Sequence, residues 1–153
     1  MKKSDCIFCK IIGGQIPRAS FWEDEKFIAI LDAFPNTKGM TLVVPKDHHD
    51  SYVVDMDDET YSEFFIAAKK VAKILEKALG VKRVAMVMEG MGVNHAHIKL
   101  YPLHGLENKF VEMYAPERRF FDRYEGYLTT VLGPEADMQR LNKLADKIRR
   151  VIE

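Results

Sequence analysis

The segment Asn94-His95-Ala96-His97-Ile98-Lys99-Leu100-Tyr101-Pro102 carries the clearest pattern in the sequence. Apolar and polar residues alternate along it, which is typical of a β-strand whose side chains point alternately to the two faces of a sheet. His95, His97 and Lys99 would then share one face. Only five histidines occur in the chain, so two of them beside a cation on one strand face indicate a chemical site. The loop before them, Gly90-Met91-Gly92, predicts a place where a ligand can approach the backbone closely.

The pattern outside this segment predicts mixed strands and helices. Apolar spacing of three and four residues, acidic residues in the first turn and a glycine at its end predict a long helix over 58–79. The remaining elements are a short helix over 8–12, strands over 20–23, 27–31, 40–44, 83–88 and 94–101, and a final helix from about Pro134. Together they predict an α+β fold, with an antiparallel sheet of about five strands, a long helix packed on it and a C-terminal helical extension. We expect one domain over 1–153, with a core over about 6–104 and an extension over about 105–153.

Composition excludes several classes of protein. The chain has 153 residues, and its 23 basic residues balance its 23 acidic residues. A net charge of zero gives no general attraction to nucleic acid or to an acidic membrane, so we expect neither as a partner. No apolar run is long enough to span a bilayer, and no signal-peptide pattern precedes Cys6. We therefore expect a cytoplasmic protein.

The two cysteines, Cys6 and Cys9, have the Cys-x-x-Cys spacing. A thioredoxin-like redox pair is disfavoured because no strand and no βαβ pattern surround them. Two thiols without a ligand remain possible. A structural zinc site is favoured, since thiolates and imidazoles together form a closed tetrahedral ligand set.

Imidazole chemistry gives the histidine face its functional interpretation. A neutral imidazole is a good nucleophile near neutral pH, and its adduct with phosphorus can be hydrolysed or passed to an acceptor. Such a histidine needs its other ring nitrogen held by an acceptor such as a backbone carbonyl. It also needs cations or N–H groups around the phosphate.

The sequence resembles the histidine triad family, whose motif is His-x-His-x-His followed by apolar residues. His95 and His97 match its first two histidines, and the resemblance extends over 6–102, including Cys6-Ile7-Phe8-Cys9 and the Asp32…Thr41-Leu42-Val43-Val44-Pro45-Lys46 stretch. It implies that His97 attacks the α-phosphorus of a nucleotide and that Asp32 accepts hydrogen bonds from the ribose. It further implies a base pocket of Ile7, Phe8 and Ile30, a zinc site of Cys6, Cys9, His48 and His95, and a homodimer. His49 could substitute for His48.

Three positions depart from the family pattern. Lys99 stands for the third histidine, Met40 for the histidine after Gly39, and Met91 for the glutamine after a glycine. Unlike histidine, a lysine with an ordinary pKa of about 10.4 stays protonated near neutral pH. Lys99 is therefore expected to stabilise phosphate charge but to protonate a leaving group poorly.

The predicted function is a nucleotide hydrolase or nucleotidyltransferase that acts at the α-phosphate through a covalent nucleotidyl-histidine. One alternative is a transferase of the dinucleoside polyphosphate phosphorylase type, in which phosphate or a sugar phosphate takes the nucleotide. Another is a nucleotide-binding regulatory protein with little turnover, because three positions around the site have changed. Retention of His97 argues against this second alternative.

Overall fold

A five-stranded antiparallel sheet forms the centre of the computed structural model, which describes residues 3–128 and 131–152. The strands lie in the order β1-β2-β3-β5-β4, and every neighbouring pair is antiparallel. Their bounds are Ser20–Glu23 (β1), Phe27–Leu31 (β2), Thr41–Pro45 (β3), Val84–Val87 (β4) and Ile98–Pro102 (β5). The helices are Ile7–Ile12 (α1), Asp58–Leu79 (α2) and Met138–Arg149 (α3), with a short 3₁₀ helix at Val53–Asp55. This confirms the predicted α+β fold.

Helix α2 has the bounds that the sequence predicts. The side chain of Asp57 accepts a hydrogen bond from the backbone N–H of Thr60 at its start. Gly80 ends the helix with φ of 67°, a left-handed conformation that glycine adopts at little cost. The apolar face of α2 packs on one face of the sheet, against β5 residues such as Ile98 and Leu100.

Helix α1 covers part of the opposite face of the sheet. Phe8 packs there against Ile28, Ile30, Leu42 and Val44. Because both faces are covered, β2 is buried along its whole length, as is expected for a central strand without polar alternation. The cysteines at the start of α1 are thereby placed beside the chain that leads into β5.

Strand β5 is shorter than the predicted strand over 94–101. Its ladder begins at Ile98, where the pairing with β3 starts. The backbone N–H of Ala96 bonds instead to the carbonyl of His49, in the loop after β3. The alternation nevertheless holds, because Ala96, Ile98 and Leu100 are all fully buried in the cluster under α2. The two histidines thus lie just before the strand rather than in it.

The predicted start of the final helix at Pro134 is wrong. Helix α3 begins at Met138, and the side chain of Asp137 caps it by accepting from the N–H of Arg140. The preceding residues follow the loop after β2, where the N–H groups of Gly133 and Ala136 bond to the carbonyls of Phe34 and Ala33. Those bonds tie the chain to the loop after β2, and the helix begins only after them. A Cβ at Gly133 would collide with the carbonyl oxygen of Pro35, so only glycine fits this approach.

Helix α3 packs against β1 and α2, and its apolar residues join the larger core cluster. Between β5 and Pro134, the described residues form neither a helix nor a strand. Within 3–128 and 131–152, no helix is both long enough and apolar enough to cross a bilayer.

Candidate functional site

His97 is held in a defined tautomer. Its side chain is 5% exposed, and its Nδ1 lies 2.7 Å from the backbone carbonyl oxygen of His95. A carbonyl can only accept, so Nδ1 must carry the proton and the lone pair of the neutral ring lies on Nε2. Burial lowers the pKa of His97, and the charge of Lys99 lowers it further against the opposing effect of the His95 carbonyl. The ring is therefore a neutral imidazole near pH 7, as nucleophilic attack requires.

Phe8 fixes the orientation of both motif histidines. Its ring centroid lies 5.3 Å from that of His97 and 5.7 Å from that of His95, in edge-on arrangements. Phe8 shares its apolar cluster with Ile30, but Ile7 does not belong to this cluster and is 46% exposed. Two of the three residues predicted to form a base pocket are thus brought together, and Ile7 lies at the surface.

Asp32 follows directly after β2. Its Oδ1 accepts a hydrogen bond from the N–H of Phe34 at 2.7 Å, which shapes the turn before Pro35. Its negative charge partly opposes the lowering of the pKa of His97 by burial, and it adds to the effect of burial in raising the pKa of Tyr101. Asp32 therefore has a role in the turn and lies close enough to His97 to influence its charge state.

Lys99 points along the same face as His97 and is largely buried, with 12% of its side chain exposed. Its Nζ lies 3.8 Å from Oε1 of Glu89, whose side chain is 9% exposed. Sequence reasoning missed Glu89, because it lies in an irregular loop after β4 and belongs to no periodic pattern. Burial and the charges of Asp32 and Glu89 raise the pKa of the neighbouring Tyr101 to about 12.

A second cluster adjoins this face and could hold a metal ion. It consists of Cys6, Cys9, His48 and His95, whose ligand atoms all lie within 4.8 Å of one another. Nε2 of His95 donates to the carbonyl oxygen of Pro45 at 2.9 Å. Its Nδ1 therefore presents a lone pair to Sγ of Cys6 at 3.3 Å and to Sγ of Cys9 at 3.7 Å. Burial lowers the pKa of His95 to about 4, which keeps this ring neutral.

His48, and not the neighbouring His49, completes the cluster. Its Nδ1 lies 3.5 Å from Sγ of Cys9, and its Nε2 lies 3.2 Å from Oδ1 of Asp50. A carboxylate on the second ring nitrogen is the arrangement that orients histidine ligands in metal sites. The structure thus brings together the four residues that the family resemblance named, with His48 rather than its possible substitute His49.

The glycine loop before the motif packs against the loop after β3 at Gly90. A Cβ at Gly90 would lie 2.6 Å from the carbonyl oxygen of Ser51, and φ at Gly90 is 73°. The space beside Gly90 is therefore filled by the loop after β3. At Gly92, no described atom outside residues 91–93 lies within 4 Å of the position that a Cβ would take, and the approach of a ligand to this loop stays a prediction.

The sheet, the buried neutral His97 and the adjoining Cys/His cluster define a protein of the histidine triad class. Residues 13–105 match the HIT domain family. An uncharacterised HIT-like protein of Methanocaldococcus jannaschii is 38% identical over 112 residues, which cover 70% of this chain and 85% of that protein. The adenosine 5′-monophosphoramidase hnt1 of Schizosaccharomyces pombe is 34% identical over 103 residues, which cover 63% of this chain and 73% of that protein. The chain belongs to the HIT family.

A solved structure extends the similarity into the C-terminal part. The hypothetical histidine triad nucleotide-binding protein ST2152 from Sulfolobus tokodaii strain 7 superposes with a TM-score of 0.72 at 26% identity. The match covers 96% of this chain and 91% of that chain. The arrangement after β5, which the family motif does not cover, is therefore shared with at least one other member of the fold.

Proposed function

We propose that this protein is a nucleotide hydrolase or nucleotidyltransferase that acts through a covalent nucleotidyl-histidine at His97. The observation that carries the proposal is the 2.7 Å contact between Nδ1 of His97 and the carbonyl oxygen of His95. It leaves a buried, neutral ring whose Nε2 lone pair is the nucleophile. The family membership and the similarity to an adenosine 5′-monophosphoramidase support a phosphorus centre as the target.

The reaction has two displacements at the α-phosphorus. Nε2 of His97 forms a P–N bond, and the leaving group departs with the electron pair of the bond it had to phosphorus. A water molecule then forms a new P–O bond and releases one proton to the solvent, and the electron pair of the P–N bond returns to Nε2. Another acceptor, such as phosphate, can replace water, in which case the enzyme is a transferase.

The surrounding residues account for nucleotide binding in this proposal. Asp32 supplies carboxylate oxygens, which suit the two hydroxyls of a ribose. Phe8 and Ile30 provide apolar contact for the base, and the exposed Ile7 extends this surface. Lys99 provides a positive charge beside His97, where negative charge develops on the phosphate in the transition state.

Phosphorus stereochemistry tests the two-step course. A substrate whose α-phosphorus is made chiral by isotopic labelling or sulfur should react with net retention of configuration, because each in-line displacement inverts it once. Net inversion would show that water attacks phosphorus directly, and it would remove His97 as a covalent nucleophile.

We further propose that Cys6, Cys9, His48 and His95 hold a structural zinc ion. At zinc–ligand distances of about 2.0–2.3 Å, neighbouring ligand atoms in a tetrahedral site lie about 3.3–3.8 Å apart. The three sulfur–nitrogen distances of 3.3, 3.5 and 3.7 Å fit this range. A bound zinc ion would link the start of α1 to the segment that carries His95 and His97. The chemistry at phosphorus stays with His97.

Removal of one thiolate tests the zinc site. Purified wild-type protein should carry about one zinc per chain, and Cys6→Ser should lose it, because a hydroxyl is a poor zinc ligand. The melting temperature should fall by several degrees, since metal binding contributes to the free energy of folding. Elemental analysis and a thermal melt measure both effects. His49→Ala is the matched control and should keep its zinc; metal-free wild-type protein with unchanged stability after chelation would contradict the site.

We also propose that the protein forms a homodimer in the cytoplasm, where reducing conditions keep the two thiols available to metal. Strand β4 lies at one edge of the sheet, and edge strands present backbone groups that can pair with another chain. Met86 on this strand is 40% exposed. Light scattering should give twice the mass of the chain, and Met86→Arg should shift the protein toward the monomer. A monomeric wild type at micromolar concentration would contradict this arrangement.

A further inference from the structure

Glu89 is a buried acidic residue on the face that carries His97. It follows β4 by two residues, beside the point where Val87 pairs with Lys99 across the sheet. Its Oε1 lies 3.8 Å from Nζ of Lys99, and less than a tenth of its side chain is exposed. Its charge also opposes the lowering of the pKa of His97 by burial and adds to the raising of the pKa of Tyr101 by burial. Glu89 thus lies among the groups assigned above to phosphate chemistry, although it matches no motif.

We propose that Glu89 is a positioning residue, which holds the ammonium of Lys99 in place and directed at the phosphate that His97 attacks. The inference rests on the proposed function and extends it. Glu89 acts only through Lys99 and does not touch the reacting atoms. The pair Lys99–Glu89 then takes over the position that the family motif gives to a third histidine.

Burial supplies the reason for a counter-charge. An ammonium removed from water is costly unless an opposite charge lies close by, and an unpaired one tends to lose its proton or turn toward solvent. Lys99 is nearly as buried as Glu89, so the carboxylate stabilises the charged lysine inside the site. Removal of the Glu89 carboxylate would take this opposite charge away from the buried ammonium of Lys99.

The distance between the two groups matters as much as their charges. A direct hydrogen bond between an ammonium and a carboxylate is about 2.7–2.9 Å long. At 3.8 Å, the pair is close enough for attraction but leaves the donors of Lys99 able to bond to a phosphate oxygen. The carboxylate therefore attracts the ammonium of Lys99 without taking up its hydrogen-bond donors.

The substitution Glu89→Gln distinguishes a positioning role of Glu89 from a purely electrostatic one, because the two roles predict opposite changes in kcat. Glu89 and Asp32 are both negative and lie on the face where an anionic phosphate must bind. If Glu89 acted only through the repulsion between its negative charge and the phosphate, Glu89→Gln would strengthen phosphate binding and raise kcat. If Glu89 positions Lys99, the same variant has a lower kcat even though its KM is unchanged or lower.

The experiment is a double-mutant cycle measured with a nucleoside polyphosphate anhydride as substrate. We expect Glu89→Gln to lower kcat by about tenfold, a part of the roughly hundredfold loss that a 1 Å misplacement of a catalytic group can cause. In the Lys99→Gln background the same substitution should change kcat by less than twofold, because the group through which it acts is gone. Glu89→Asp keeps the charge and should recover part of the loss. Thermal melts of all variants show that each is folded.

The outcomes are separable. An unchanged kcat in Glu89→Gln, or equal losses in the wild-type and Lys99→Gln backgrounds, overturns the positioning role. A Glu89→Asp variant as slow as Glu89→Gln also counts against it. The wild type is assayed in parallel for the covalent nucleotide adduct. Its absence would overturn the proposed function itself, whereas its presence together with additive losses overturns only the inference about Glu89.

Discussion

Substitution of His97 by alanine should abolish turnover and adduct formation while leaving the protein folded. Loss of the nucleophile from an enzyme with a covalent intermediate lowers kcat by about a millionfold. Steady-state assays and intact-mass measurements on the purified variant check the result. His97 is buried beside Phe8, so the cavity should lower the melting temperature modestly without unfolding the chain.

A chemical control shows whether a His97 variant is inactive because it lacks the imidazole or because its binding site is distorted. The variant His97→Gly leaves room for an imidazole, so a nucleoside 5′-phosphoroimidazolide brings the missing group with the substrate. This compound should be hydrolysed by His97→Gly, since it already contains the P–N bond that the first step makes. Normal turnover of ordinary substrates by a well-folded His97→Ala protein would contradict the role of His97.

Lys99 should determine which leaving groups the enzyme cleaves fastest. A buried ammonium stabilises the negative charge of a phosphate leaving group, and this attraction is strong where water is excluded. A lysine is a poor acid near neutral pH, so an amine leaving group gains less from it. We therefore expect anhydrides to be preferred over phosphoramidates. Lys99→Ala should slow anhydride cleavage by about a hundredfold, the loss typical of one charge-stabilising donor.

The measurement is the ratio of specificity constants for an anhydride and a phosphoramidate of the same nucleoside. Lys99→His should shift this ratio toward the phosphoramidate, because an imidazolium can donate its proton near neutral pH. Equal ratios in the wild type, Lys99→His and Lys99→Ala would contradict an interaction of Lys99 with the leaving group. The S. pombe relative is a phosphoramidase, so this comparison also shows whether Lys99 has changed the preference.

Much of the fold could be predicted because its patterns are local. The helical period over 58–79, with Asp57 before it and Gly80 after it, gave α2 its bounds. The start of α3 and the short ladder of β5 could not be predicted, because partners distant in sequence determine both. Residues 33–34 accept backbone hydrogen bonds from the chain before α3, and the carbonyl of His49 accepts one from the N–H of Ala96. The division into a core over 6–104 and an extension over 105–153 stays a prediction.

The candidate site was predicted in part. Spacing and family resemblance selected Cys6, Cys9 and His95, and the structure brings these residues together. The resemblance also named His48, with His49 as a possible substitute, because two adjacent histidines in a loop fit the same pattern. The sequence did not indicate Glu89, because the role proposed for Glu89 depends on its burial beside Lys99. The catalytic and nucleotide-binding roles of these residues remain predictions that the experiments above address.

The most direct test of the account is the intact mass of wild-type protein quenched within milliseconds of mixing with nucleotide. We expect a fraction of the protein to gain the mass of one nucleoside monophosphate less water, and peptide mapping should locate the adduct on His97. The adduct should be absent from His97→Ala and should decay in the wild type at a rate consistent with turnover. Turnover by the wild type without any adduct, or an adduct on a residue other than His97, would contradict the proposed mechanism.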